Sequence, residues 1–422
     1  MTKRHFPIRN RTTARTRELK DAIVASFSAT RGEAIPRLDG FTEADWQSVL
    51  WWLDISGMAI YFLDQMQRLG SEGMIPSKIR ASLEERLQRN RFRIQALKEE
   101  ACAQAGVFER ENIPYALLKG ITLTPESVSD SALRCQTDLD FLVSSEGADF
   151  AIRSIQSRGY QLYARSGITM EFRAGSIGLP DLRKIYSTDA QRALDLHVLP
   201  EQSSHLGLLA RKSYRYFDGI QIATLSPADI LMQQAMHLLK HLCSDHSRLS
   251  WVLEFSRHVE SRRFDRSFWN KVESLAAEEM NGALALSVAS WLTSEFFNKE
   301  ALQLPMQSRA ETMPPRVLRW LSLYTRSLLL SDSTGNKLYL LLRNEVPRKA
   351  EPLKKTHLIL FPHCLPARLT RPHPGERLAE RLKRYVIEAD YFIRRMRFHV
   401  VEGIRYWIEA SRWRRETVRN ER

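Results

Sequence analysis

The sequence predicts an α+β protein, a mixed β-sheet flanked by helices and set between helical N- and C-terminal regions. Three observations carry this. A short apolar run, Tyr115-Ala116-Leu117-Leu118, has strand length, and two later runs, Asp138-Leu139-Asp140-Phe141-Leu142-Val143 and Ala193-Leu194-Asp195-Leu196-His197-Val198, alternate with period two. On both sides of them apolar residues recur every three or four positions, the helical period.

The alternating strands come first because they carry chemistry. Successive side chains on a strand point to opposite faces, so Asp138 and Asp140 share one face while Leu139, Phe141 and Val143 enter a core. Carboxylates two apart lie roughly 6 to 7 Å apart along a strand, a spacing that can bridge a pair of Mg²⁺ ions about 3.5 to 4 Å apart. In the second strand Asp195 and His197 share the face opposite Leu194, Leu196 and Val198. If the strands are neighbours, Asp195 approaches the Asp138/Asp140 pair and either ligates a metal or takes the proton of an attacking hydroxyl. His197 then stands where it could bind substrate, assist that proton transfer, or be a hydrogen-bonded core histidine. A D-x-D on a strand is also a common solvated edge, but here Lys119 and Gly120 end the preceding strand, and a glycine there lets backbone approach a phosphate.

The order of these short motifs resembles that of an uncharacterised bacterial nucleotidyltransferase family of the polymerase-β superfamily. The matching residues are Lys119 and Gly120 after a strand, Arg134 shortly before Asp138-Leu139-Asp140, Gly159-Tyr160 closing a helix, Asp195-Leu196-His197, and Leu225-Ser226-Pro227 opening a helix. Arg248, Leu249, Trp251 and Glu254 match a segment that ends in an acid. Lys-Gly stands where the wider superfamily usually has Gly-Ser. The resemblance implies a polymerase-β-like nucleotidyltransferase core, an NTP as substrate, and Mg²⁺ (or Mn²⁺) held by Asp138, Asp140 and Asp195. Lys119, Gly120, Arg134 and Thr137 would meet the nucleotide. The reaction would be transfer of a nucleoside monophosphate to a hydroxyl on a small molecule, glycan, protein or RNA by two-metal catalysis. The competing reading is a non-catalytic nucleic-acid-binding or scaffolding protein on a degenerate core of the same kind.

Around this core the chain divides into a basic flexible tail (1–20), a helical N-terminal subdomain (21–105), the core (106–200), a helical subdomain (201–342), and a proline-punctuated connector with a basic amphipathic C-terminal helix (343–422). In the N-terminal part, Leu50, Leu53, Gly57, Ile60, Tyr61 and Asp64 trace one helix, and Ile79, Leu83, Leu87, Phe92, Ile94 and Leu97 another. Ser226, Pro227 and Asp229 make a helix start, with a side-chain cap, a proline in the first turn and an acid at the positive dipole end. That helix carries His237 and His241 on one face, yet lacks the glutamate of H-E-x-x-H, so structural or substrate-facing histidines are expected rather than zinc.

Of the formal net charge of +14, residues 1–20 hold +6 and residues 368–422 hold +7, leaving a near-neutral body. A phosphate-rich partner would therefore meet the ends. The C-terminal stripe from Leu378 through Leu382, Tyr385, Phe392, Met396, Val400, Ile404 and Trp407 fits packing on the protein's own helices, an acidic membrane surface, or an RNA backbone. Cys102, Cys135, Cys243 and Cys364 show no C-x-x-C spacing, which points to no zinc site or disulfide framework and to a reducing, cytoplasmic setting. No apolar run is long enough for a transmembrane segment, and the start, Met1-Thr2-Lys3-Arg4-His5, leads into no secretory h-region.

Overall fold

One apolar run and two alternating runs marked three strands, and the sheet gathers four more. In the computed structural model, which describes residues 14–29, 38–175, 185–186, 192–199, 206–244, 246–297, 313–333, 335–347, 360 and 377–420, seven strands pair in the order β3-β4-β5-β2-β1-β7-β6. They are β1 Tyr115–Leu118, β2 Asp138–Ser144, β3 Gln161–Ser166, β4 Thr169–Ala174, β5 Arg192–Leu199, β6 Ser213–Phe217 and β7 Ile220–Thr224. β2 runs antiparallel to β1 and parallel to β5, and β1 runs parallel to β7, so the sheet is mixed. The sheet thus continues past residue 200 through the β6–β7 hairpin. Its turn residues Asp218 and Gly219 both hold positive φ, 49° and 82°, as a two-residue turn matched to the strand twist requires.

β2 is covered on both faces. Leu139, Phe141 and Val143 join a core with Ala101, Phe108, Ala151 and Ile155, whereas Leu142 joins Ala116, Leu118, Leu199 and the main helical core on the other side. Phe141 meets Phe108 edge to face at 5.5 Å and 88°. Burying such a ring contributes about 1.5–3 kcal/mol, and Asp138 and Asp140 stand opposite it by alternation.

The N-terminal helices are α1 Ala14–Ala25, α2 Glu43–Ile55, α3 Ala59–Leu69 and α4 Ser77–Arg110. Three sequence expectations change here. The tail expected over 1–20 becomes helix from Ala14, because Leu19, Ile23 and Val24 are buried and the buried Lys20 ammonium donates to Leu330 O at 2.9 Å and to Asp332 Oδ1 at 2.6 Å. Residues 1–13 lie outside the described ones. The single helix expected through Gly57 is two, α2 and α3, since Gly57 turns the chain at φ +74°. Phe92 is 63% exposed, because its five-residue step from Leu87 leaves the apolar face. The buried residue nearby is Asn90, whose amide donates to Ala132 O at 2.7 Å and Arg134 O at 2.9 Å.

After β2 comes α5 Ser145–Ser157, and after β5 come α6 Leu206–Ala210, α7 Pro227–Leu242, α8 Leu249–Ser261, α9 Arg266–Glu278 and α10 Gly282–Phe296. The Ser226 hydroxyl caps α7 by accepting from Asp229 N at 3.3 Å, with Pro227 in its first turn. Three more helices follow, α11 Pro315–Leu329, α12 Tyr339–Arg343 and α13 Leu378–Asn420. Most of the proline-punctuated connector falls outside the described residues. No helix among the described residues is long and apolar enough to cross a membrane.

At Gly57 a Cβ would collide with the Ser250 side chain in a backbone region that L-residues rarely adopt. Gly57→Ala should therefore lower stability by about 1–3 kcal/mol. A chemical denaturation midpoint equal to wild type would contradict this origin of the α2–α3 corner.

Candidate active site

The adjacency assumed for the two aspartate strands is present, and its register places the carboxylates side by side. β2 and β5 pair in parallel with Asp140 opposite Asp195 and Leu142 opposite His197. Asp138, Asp140, Asp195 and His197 therefore share the sheet face turned toward the helical core. β4 adds Thr169 opposite His197 and Glu171 opposite Asp195.

Asp140 is the centre of this face. It is 5% exposed, and one of its oxygens, Oδ1, accepts from Lys119 Nζ at 3.0 Å and meets His197 Nε2 at 2.9 Å. Burial favours the neutral acid, but the Lys119 ammonium and then the His197 hydrogen bond outweigh it and hold Asp140 well below the usual carboxylate range. An ionised carboxylate only accepts, so His197 presents Nε2–H to Asp140. Its Nδ1 lies 3.0 Å from the Thr169 hydroxyl, which in the neutral ring donates to it.

The neighbouring acids shift the other way. Burial, and then the charges of Asp140 and Asp138, push Asp195 up to about 7. Burial and then Asp140 also raise Asp138. Ligand atoms of Asp140, Asp195 and His197 lie within 4.8 Å of one another, the one group among the described residues with the spacing of a metal site. Asp138 shares their face without belonging to that group. Two carboxylates and an imidazole fit a divalent cation: the oxygens suit Mg²⁺ or Mn²⁺, and the imidazole nitrogen favours Mn²⁺ over Mg²⁺. As a ligand, His197 would turn its Nε2 lone pair to the ion and donate from Nδ1 to Thr169, an outer partner that fixes the ring.

The remaining expected residues divide. Lys119 ends β1 at φ +50°, followed by Gly120 at φ +52°, and this turn aims the ammonium at Asp140. The space over Gly120 is filled by Gln136, whose amide donates to Asp138 O at 2.5 Å. A side chain on Gly120 would collide with that amide and disturb the entry to β2. Thr137 is exposed at the entry itself. Arg134 pairs through Nε with Glu254 Oε1 at 3.1 Å, and Tyr61 OH donates to the same oxygen at 3.0 Å. Arg134 and Glu254 are 15% and 4% exposed. Burial works against the Arg134 charge, but the Glu254 carboxylate raises its guanidinium above the ordinary value.

Lys119 and Arg134 nonetheless line one cleft with Gln234, His237, Trp251 and Glu254, bounded by α7 and α8. At about 30 Å³ it holds roughly one water. His237 and His241 pack on Trp251, with ring centroids 4.5 and 4.6 Å away. Burial, and for His237 then the neighbouring His241, push their imidazoles down, to about 2 for His237 and about 4 for His241. Both are neutral near pH 7, and His241 Nδ1 meets His246 O at 3.0 Å.

Sequence reasoning missed Thr169, Glu171, Gln136 and Asn90, and it left Glu254 without its partner. Thr169-Met170-Glu171-Phe172-Arg173 alternates polar and apolar, a strand signal that could have placed Thr169 and Glu171 on one face. Asn90 acts through backbone atoms of a distant segment, which no local pattern encodes, and Gln136 is placed by its close approach to Gly120.

The raised Asp195 carboxyl sets a pH dependence of stability. From its ordinary value of 3.8 to about 7 the native state keeps a proton that the unfolded chain has released, so metal-free protein loses stability as pH rises through that window. In chelator at pH 8, Asp195→Asn should melt roughly 2–4 °C above wild type, the shift of about 1 kcal/mol, and the gap should close at pH 4. Equal melting curves at both pH values would contradict the buried-acid account.

Residues 42–298, more than half of the chain, match the family described as "Uncharacterised nucleotidyltransferase". Among solved structures, the chain is similar to an antigenic nucleotidyltransferase-like protein from Paracoccidioides brasiliensis at 14% identity, covering 48% of this chain and 96% of that one, with a TM-score of 0.29. No curated protein matches the chain. On the family match, the chain belongs to this nucleotidyltransferase family.

Proposed function

We propose that the protein transfers a nucleoside monophosphate from an NTP to a hydroxyl acceptor on the Asp138/Asp140/Asp195/His197 face. The observation that carries this is the parallel β2–β5 register, which sets Asp140 against Asp195 with His197 in metal-ligand range. Family membership supports the NTP as donor.

Asp140 and His197, with Asp195 beside them, would hold a divalent cation, Mg²⁺ or Mn²⁺. When bound, that cation supplies charge neutralisation and alignment for in-line displacement. The chain's own groups do the rest. The acceptor oxygen forms a bond to the α-phosphorus as the bond to the pyrophosphate oxygen breaks. Asp195, whose proton affinity is tuned near neutrality, receives the acceptor proton. Lys119 leaves Asp140 for the departing phosphates, and Arg134, in the same cleft, adds positive charge there. The cleft is too small for a nucleoside, so the base lies outside it or the α7–α8 side chains move apart. Asp138, on the same face, would be the group to hold a second cation.

A second reading has one observation in its favour. Lys119 and His197 already satisfy the Asp140 oxygen, as in a core that holds together without a metal and serves as a scaffold.

Labelled NTPs incubated with Mg²⁺ or Mn²⁺ and pools of metabolites, protein and RNA separate the two. Transfer should fall at least 100-fold in Asp140→Asn and Asp195→Asn. Label transfer that survives in both variants sinks this site. Folded wild type that transfers no label from any NTP favours the scaffold.

A further inference from the structure

The C-terminal helix α13 runs 43 residues, Leu378–Asn420, and meets the body in its second half, from the His399 contact with Lys337 onward. Tyr406, Ala410 and Trp413 are buried there, with Tyr324 OH donating to Glu409 Oε2 at 3.1 Å and its ring 6.5 Å from Trp413. No residue from Leu378 to Val401 is buried. At roughly 100° per residue, Leu382, Val386, Ile393, Met396, Ile404 and Trp407 fall in one stripe about a third of a turn away from that contact. All six are 49–68% exposed. At 1.5 Å per residue the stripe from Leu382 to Trp407 extends roughly 40 Å.

We propose that this stripe docks α13 flat on an anionic lipid surface. The charges decide between occupants. Eleven Lys or Arg stand against six acids within the helix. Exposed Lys383, Arg397 and Arg415 fall on one flank of the stripe, where Asp390 is paired with Arg394, and Arg381 falls on the other, while the buried Glu402 and the Tyr324-bonded Glu409 face the body. That is the layout of an interfacial helix, with the apolar face in the acyl boundary and an excess of basic side chains at headgroup height. A second copy of the helix laid on the stripe would bring basic flanks against basic flanks. An RNA backbone would meet the arginines but leave the apolar stripe in water. The proposal does not depend on the catalytic reading, because it uses no residue of that site.

The test is flotation of the full chain with vesicles of phosphatidylcholine alone or with about 30% phosphatidylglycerol, at 0.1 and 0.5 M NaCl. The expected result is at least tenfold stronger partition into anionic vesicles, weakened by salt, and a tenfold or greater loss in the double variant Val386→Glu/Ile393→Glu. Both positions lie in the unburied half of the helix, and an unchanged melting temperature shows that the variant is folded. Equal flotation of variant and wild type, or no preference for anionic lipid, overturns the proposal. So does a concentration-dependent dimer in light scattering that the same variant abolishes, since the stripe's occupant would then be a second copy.

Discussion

The site is governed by the electrostatic cost of setting Asp140 beside Asp195. Parallel register brings the two acids together, and burial of Asp140 denies them the water that would screen the repulsion. The protein meets this cost in two ways. It ionises Asp140 against Lys119 and His197, and it raises Asp195 until it keeps its proton to about neutrality. In the proposed reaction both devices would be provisional, because a divalent cation and a polyphosphate would offer each group a better partner: the ammonium on Asp140 would pass to phosphate, and the proton on Asp195 would leave when positive charge arrives.

Everything near this pair holds the geometry in place. Thr169 fixes the His197 ring from the next strand. The Gln136 amide closes over Gly120 and binds the Asp138 carbonyl. Asn90, deep in the long α4, holds the carbonyls of Ala132 and Arg134. Arg134 then reaches Glu254 of α8, which Tyr61 of α3 also bonds. One chain of contacts therefore ties the N-terminal helices, the loop before β2 and the helices after the sheet. Removing Glu254 would leave Arg134 buried and unpaired, the costly half of a broken ion pair.

The sequence disclosed facing better than it disclosed pairing. Period-two alternation around Asp138, Asp140, Asp195 and His197 is a local property, so their shared orientation was readable from residue order alone. Their register is a contact across some 55 positions, and no local pattern fixes it. The nominated metal triad was Asp138, Asp140 and Asp195, whereas the group with metal spacing takes His197 in place of Asp138, a distinction that register alone decides. Gly57 shows a different limit: helical periodicity continues across it, and only the positive φ forced by packing at Ser250 breaks the helix in two. The Asp218-Gly219 turn lies in a stretch expected to be helical, although Asp-Gly between alternating segments is a hairpin signal. Periodicity marked α13 as an amphipathic helix but did not single out Val386 and Ile393, and it cannot say whether a face is covered.

On the proposed function, Asp140 exchanges the Lys119 ammonium for a divalent cation. Mn²⁺ binding followed by electron paramagnetic resonance, without nucleotide, compares wild type with Lys119→Met and Asp140→Asn most directly. Removing the competing ammonium should tighten Mn²⁺ by roughly tenfold, the effect of about 1.4 kcal/mol, and removing the carboxylate should abolish binding at the same concentrations. Mn²⁺ affinity that is the same in all three proteins would contradict the account.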